Sequence, residues 1–197
     1  MFLLSRPNDL QIESFLNDSN QLPLSYEPIG LAHEGAEGFS LDELCETIGR
    51  GRQAFETARI ALTDWRHFEL GWVELFPRHV SIEPGTVVAV LVHHLGVWSL
   101  NGCRVVYTID DRDGARFGFA YGTLTNHAEC GEEIFEVSLN EREEVIYRIQ
   151  AASKPRAMLA RVGYPVTRSF QARFRRDSIR AMRKALGSPS TSGRGLG

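Results

Sequence analysis

The chain has 197 residues, 43% of them hydrophobic, 24% charged and 10% aromatic, an ordinary globular composition that excludes wholesale disorder and collagen-like repeats. Its longest apolar stretch, 86–92, is a strand's worth and far short of a membrane span. The net charge of −3 hides an asymmetry: residues 151–197 carry eleven Lys and Arg against the single acid Asp177, so the first 150 residues are acidic.

Residues 1–20 predict a short helix, with Pro7 and Asn8 or Asp9 in its first turn and Leu10, Ile12, Phe15 and Leu16 as a partial apolar face. A Pro/Gly-rich loop follows over 22–38, and together these form an N-terminal extension. The stretch 39–48 is ambiguous: Leu41, Leu44, Cys45 and Ile48 fall at helical spacing, yet Gly49 and Gly51 follow at once. A firmer helix is expected over 52–64, with Phe55, Ala58, Ile60, Ala61 and Leu62 on its apolar face.

From His67 the period becomes two, which predicts a strand through Phe76, ended by Pro77. Further strands are expected at 86–94, 104–109, 116–121, 133–139 and 143–149. Asp113-Gly114 is a strong hairpin signal between two of them. After Pro165, Val166, Phe170, Phe174, Met182 and Leu186 mark the stripe of a helix of roughly 22 residues, about 33 Å long. Residues 187–197 read as a low-complexity, disordered tail.

The assembly is α+β. A curved antiparallel sheet of six to seven strands wraps on the long C-terminal helix, a helix-grip arrangement within one domain over 1–186. The C-terminal helix is the one long amphipathic element available to cover the inner face of the sheet. The gap between the two is a natural pocket.

Several stretches carry a resemblance. Phe68-Glu-Leu-Gly-Trp-Val-Glu-Leu-Phe-Pro77, Glu83-Pro-Gly-Thr-Val-Val-Ala-Val90, His94-Leu-Gly-Val-Trp-Ser-Leu-Asn-Gly-Cys-Arg104 and Arg116-Phe-Gly-Phe-Ala-Tyr-Gly-Thr-Leu124 are the main ones, with His127-Ala-Glu129, Gly131-Glu-Glu133, Arg161-Val-Gly-Tyr-Pro165 and the N-terminal 1–7. On these the chain resembles uncharacterised protein family 0548. Its element order looks like that of the steroidogenic-acute-regulatory-related and birch-pollen-allergen-like superfamily. That likeness implies binding of lipids, sterols, polyketides or hormones, and in a minority of members cyclisation or hydrolysis.

Candidate site residues fall in two groups. In the stretch 123–133, His127 and Glu129 lie two apart with Glu132 and Glu133 close behind; imidazole with carboxylate is the minimum kit for acid–base catalysis near neutral pH. The other reading is a polar connection whose side chains cap backbone groups. The second group is a set of ligand contacts: His93, His94, Trp98, Arg104, Tyr107, Phe119 and Tyr121. One of the adjacent histidines must face inward. An inward Arg104 needs a carboxylate, from Glu69, Glu74 or Glu136, or an anionic ligand. Phe117, Phe119 and Tyr121 share one face, with Gly118, Ala120 and Gly122 on the other.

The leading expectation is a protein that binds a small apolar or lipid-like molecule between sheet and helix. Two alternatives stand beside it: a cyclase- or hydrolase-type enzyme using His127 and Glu129 or Glu133, and an interaction module whose basic C-terminal helix meets an anionic membrane or partner. Seven basic residues crowd that helix (Arg168, Arg173, Arg175, Arg176, Arg180, Arg183 and Lys184); the leading reading of them is packing beside an acidic body. No cofactor, metal or nucleic acid is expected. Cys45, Cys103 and Cys130 fit no metal-finger spacing, and the first residues lack a signal-peptide core, which suits reduced thiols in a cytoplasmic protein.

Overall fold

The computed structural model describes residues 1–111, 113–155 and 164–187. In chain order the elements are β1 (Phe2–Leu3), α1 (Asp9–Asn20), α2 (Leu31–Glu34), β2 (Ser40–Arg50), α3 (Gly51–Thr63), a 3-10 turn (Arg66–Phe68), β3 (Val73–Phe76), β4 (Val87–His94), β5 (Val97–Asp110), β6 (Arg116–Thr123), β7 (Glu129–Leu139), β8 (Glu144–Pro155) and α4 (Tyr164–Gly187). The expected tail, from residue 188 on, and the side chain of Val166 lie outside the described residues.

The strands form one antiparallel sheet in the order β2-β8-β7-β6-β5-β4-β3, with β1 paired to the start of β5. Short turns make this meander. Leu95 and Gly96 link β4 to β5 with φ of 50° and 75°, the pair of positive values that a tight hairpin turn needs. The concave face packs Val105, Phe119, Phe135, Tyr147 and Ile149 against Ile179, Met182 and Ala185 of α4. This is the helix-grip arrangement. The final helix does not cover the sheet alone, however: Phe55, Ala58 and Leu62 of α3 are buried in the same core.

The convex face is covered too. Ile12 and Phe15 of α1 pack on Ala89, Leu91 and Leu100, which explains why β4 is apolar on both sides. Asn8 and Gln11 cap α1 reciprocally, each side chain accepting from the other's backbone N–H. Further along, Tyr26 and Leu31 pack on Ala120, Ile134 and Ala152. A Cβ at Gly122 would run into the Tyr26 hydroxyl, so the small residues of β6 admit the N-terminal segment.

The structure differs from the sequence expectation at several elements: Phe2–Leu3 is a strand instead of helix, β5 begins at Val97 and β7 at Glu129, each earlier than expected, and two stretches change character. The stretch 67–72 is no strand, because His67 and Phe68 are both buried instead of alternating, and the strand proper starts at Val73. Trp65 at φ 57° turns the chain sharply after α3. The ambiguous 39–48 stretch is a strand, alternating in burial, whose inward Asp42 and Glu46 pair with arginines of α4.

Candidate functional site

A cavity of about 610 Å³ separates the concave sheet from the first half of α4, a size suited to a small molecule. Val90 and Val92 of β4, Phe68 and Trp72, and Phe170 and Phe174 of α4 line its apolar side. Phe68 and Phe174 lie 5.2 Å apart between ring centres, with Phe135 beneath, so one end of the cavity rests on packed aromatic rings.

A cluster of polar groups comes from β6 and β7, with others from β4, β5, β8 and α4. Glu129, Gly131 and Glu133 alternate inward on β7, with Thr123 and Tyr121 beside them on β6. The Tyr121 hydroxyl donates to Glu133 Oε2 at 2.9 Å. Burial pushes the Glu133 carboxyl up to about 7, against the opposing pull of that hydrogen bond and of Arg175. Glu129 is also raised by burial, and both its oxygens accept from Nε2 of Gln171 at 2.9 and 3.0 Å.

Arginines tie α4 over this wall. Arg168 grips Asp42 with both terminal nitrogens, one at 2.6 Å, and Arg175 approaches the same carboxylate at 3.7 Å. Hydrogen bonding to Arg168 holds the Asp42 carboxyl below its ordinary range. Trp72 Nε1 donates to Asp177 at 3.0 Å while Arg173 lies 4.4 Å over the indole. Among the described residues, ion pairs with Asp42, Asp177 and Glu46 engage Arg168, Arg173, Arg175, Arg180 and Arg183 of the helix.

Of the residues singled out from the sequence, His94, Tyr121, His127, Glu129 and Glu133 line the cavity. His94 sits 4.9 Å from Phe170, and burial first, then neighbouring His93, lowers its pKa. His127 Nδ1 accepts the Glu129 backbone N–H at 2.9 Å, a capping contact within the turn before β7.

The other five lie elsewhere. His93 stacks on Trp98 at 4.2 Å on the outer face. Arg104 also points outward, because Cys103 takes the inward position. Among the described residues it meets no carboxylate and donates instead to the carbonyls of Asn20 and Leu22, closing the C-terminal end of α1. A bulge between Val105 and Tyr107 turns Tyr107 outward, onto Glu132 at 3.0 Å. Phe119 is core, edge-on to Trp65 at 4.7 Å. Gln171 and Arg175 were missed as cavity residues. Their signal was one of spacing, since each follows directly on a member of the Phe170/Phe174 stripe.

Among the described residues no group of three His, Cys, Asp or Glu is placed to hold a metal ion, and no helix is long and apolar enough to cross a membrane.

The family profile described as "Domain of unknown function (DUF1990)" matches residues 25–181. The chain belongs to this family. A UPF0548 protein of Dictyostelium discoideum is 32% identical over 209 residues, covering 95% of this chain and 97% of that one. Among solved structures, a hypothetical protein of Helicobacter pylori superposes with a TM-score of 0.54 at 12% identity, covering 81% of this chain and 94% of that one. The di-domain ARO/CYC BexL from the BE-7585A biosynthetic pathway gives 0.51 at 12% identity, over 79% of this chain and 52% of its own. These two likenesses establish a shared fold. Within the family, the cavity between sheet and α4 is the feature from which a function has to be read.

Proposed function

We propose that this DUF1990 chain binds a small, largely apolar molecule between the sheet and α4. The observation that carries the reading is the 610 Å³ cavity itself, walled by Phe68, Trp72, Val92, Phe170 and Phe174. Water in such a space gains few hydrogen bonds, and an apolar ligand gains from leaving bulk water, at about 25 cal/mol per Å² buried. Uptake of Nile red, a neutral fluorophore, tests it. Enhanced, saturable fluorescence is expected, and Ala151→Trp, which fills the space from β8, abolishes it at unchanged thermal stability. No saturable uptake by the folded wild type contradicts the reading.

A second reading rests on Glu133. A carboxyl that titrates near 7 beside an apolar cavity suits general acid–base work. Turnover of a bound ester or polyketide-like substrate, lost in Glu133→Gln with Nile red binding retained, supports this use. Equal turnover in the variant removes it. The membrane-contact reading is weakened by the ion pairs that engage most of the basic helix.

A further inference from the structure

Among the described residues, the polar wall of the cavity leaves a carboxylate oxygen open. Both oxygens of Glu129 are held by Gln171. Asp42 is gripped by Arg168 and also draws Arg175, the cation of the wall. Burial lowers the pKa of His94, whose buried Nδ1 is also without a hydrogen-bond partner among the described residues, and His127 Nδ1 is occupied by the Glu129 N–H. Glu133 Oε2 accepts from Tyr121, whereas among the described residues nothing donates to Oε1. A half-buried carboxylate oxygen without a donor is an unmet demand in a poorly solvated space.

We propose that the polar end of the ligand is a hydrogen-bond donor, a hydroxyl or a protonated amine, that meets Glu133 Oε1, and that anionic head groups are excluded. The proposal rests on the cavity being a binding site and names the ligand class it takes. A hydroxyl or ammonium supplies the missing donor. A carboxylate head would set like charges beside Glu133 and Glu129 where little water screens them. Arg175 does not offset this, because Asp42 already competes for it.

Competition against Nile red at about pH 8, where Glu133 is largely ionised, reads this directly. The competitors share one chain and differ in head group: dodecylamine, dodecanol and dodecanoate. On wild-type protein the amine and alcohol displace the dye, and dodecanoate is weaker by about tenfold or more. In Glu133→Gln that gap closes and any advantage of the amine over the alcohol disappears. An amine advantage present only in wild type identifies the charged donor, and equal amine and alcohol the neutral one. Dodecanoate competing as well as dodecanol on wild type overturns the proposal while leaving the cavity as a binding site. Absence of dye and ligand uptake altogether overturns both. The wild-type ranking needs no variant, so it decides the matter even if Glu133→Gln fails to fold.

Discussion

Tyr121 on β6 and Glu133 on β7 are direct cross-strand partners, and the phenol donates to the carboxylate at 2.9 Å inside the cavity. The pair is coupled through burial. Desolvation raises both groups, and the negative charge of Glu133 raises Tyr121 further. A carboxyl whose pKa goes from 4.5 unfolded to about 7 folded binds its proton more tightly in the native state. Stability therefore falls as pH rises from about 4.5 to about 7, and is level above that. Glu133→Gln removes this slope and makes the protein more stable than wild type at about pH 8, by an amount on the order of 1–3 kcal/mol. Urea unfolding across pH checks it; a variant less stable than wild type there contradicts the assignment.

His67 produces the opposite slope. It is fully buried among Phe68, Phe119 and Phe135, and among the described residues neither ring nitrogen has a partner. Burial lowers its pKa from 6.5 to about 3. The unfolded state takes up a proton that the native state refuses, so stability falls as pH drops from about 6.5 to about 3. His67→Phe flattens this limb and at neutral pH changes stability by less than about 1–2 kcal/mol. In wild type the two slopes oppose each other between about 4.5 and 6.5. Each single variant should unmask the other, which pH-dependent melting of both would reveal.

Asp42 joins β2 to α4 through Arg168 and Arg175. Its folded pKa is depressed, so its contribution is present above the unfolded value of 3.8 and is lost as pH falls through the folded one. Asp42→Ala leaves Arg175, mostly buried, without its carboxylate, at a cost of about 3 kcal/mol. Loss of Nile red uptake should accompany it, since α4 forms the cavity's far wall. Unchanged unfolding midpoint and uptake would show that packing alone holds the helix.

On the convex face Glu132 gathers the hydroxyls of Tyr26 at 2.7 Å and Tyr107 at 3.0 Å, with the backbone N–H groups of Gly30 at 3.0 Å and Ala32 at 3.3 Å. Four donors on one buried carboxylate fasten the N-terminal segment to the sheet. Glu132→Gln exchanges one acceptor oxygen for a donor and costs roughly 2–4 kcal/mol. Limited proteolysis should then cut within 22–38 before the sheet, and resistance equal to wild type would contradict this role.

The strands β6, β7 and β8 were legible because their inward and outward faces alternate and Asp113-Gly114 marks a hairpin. The strand β2 was obscured by Asp42 and Glu46, acids that face inward only because Arg168 and Arg183 come down on them from the far end of the chain. No local pattern carries that information. Parity misled the reading of Arg104: once Cys103 is inward, Arg104 has to be outward. The bulge before Tyr107 shifts the parity again. Glu129 and Glu133 were visible as acids in the right stretch, while Gln171 and Arg175 required knowing which helix face the sheet would meet.

The most direct test of the binding account is native mass spectrometry of the freshly purified protein and of the same protein after incubation with dodecanol, beside Ala151→Trp. The account predicts a discrete adduct on wild type, carried through purification or acquired on incubation, that organic extraction releases and the filled variant lacks. A folded wild type that shows only its bare mass under both conditions would contradict it.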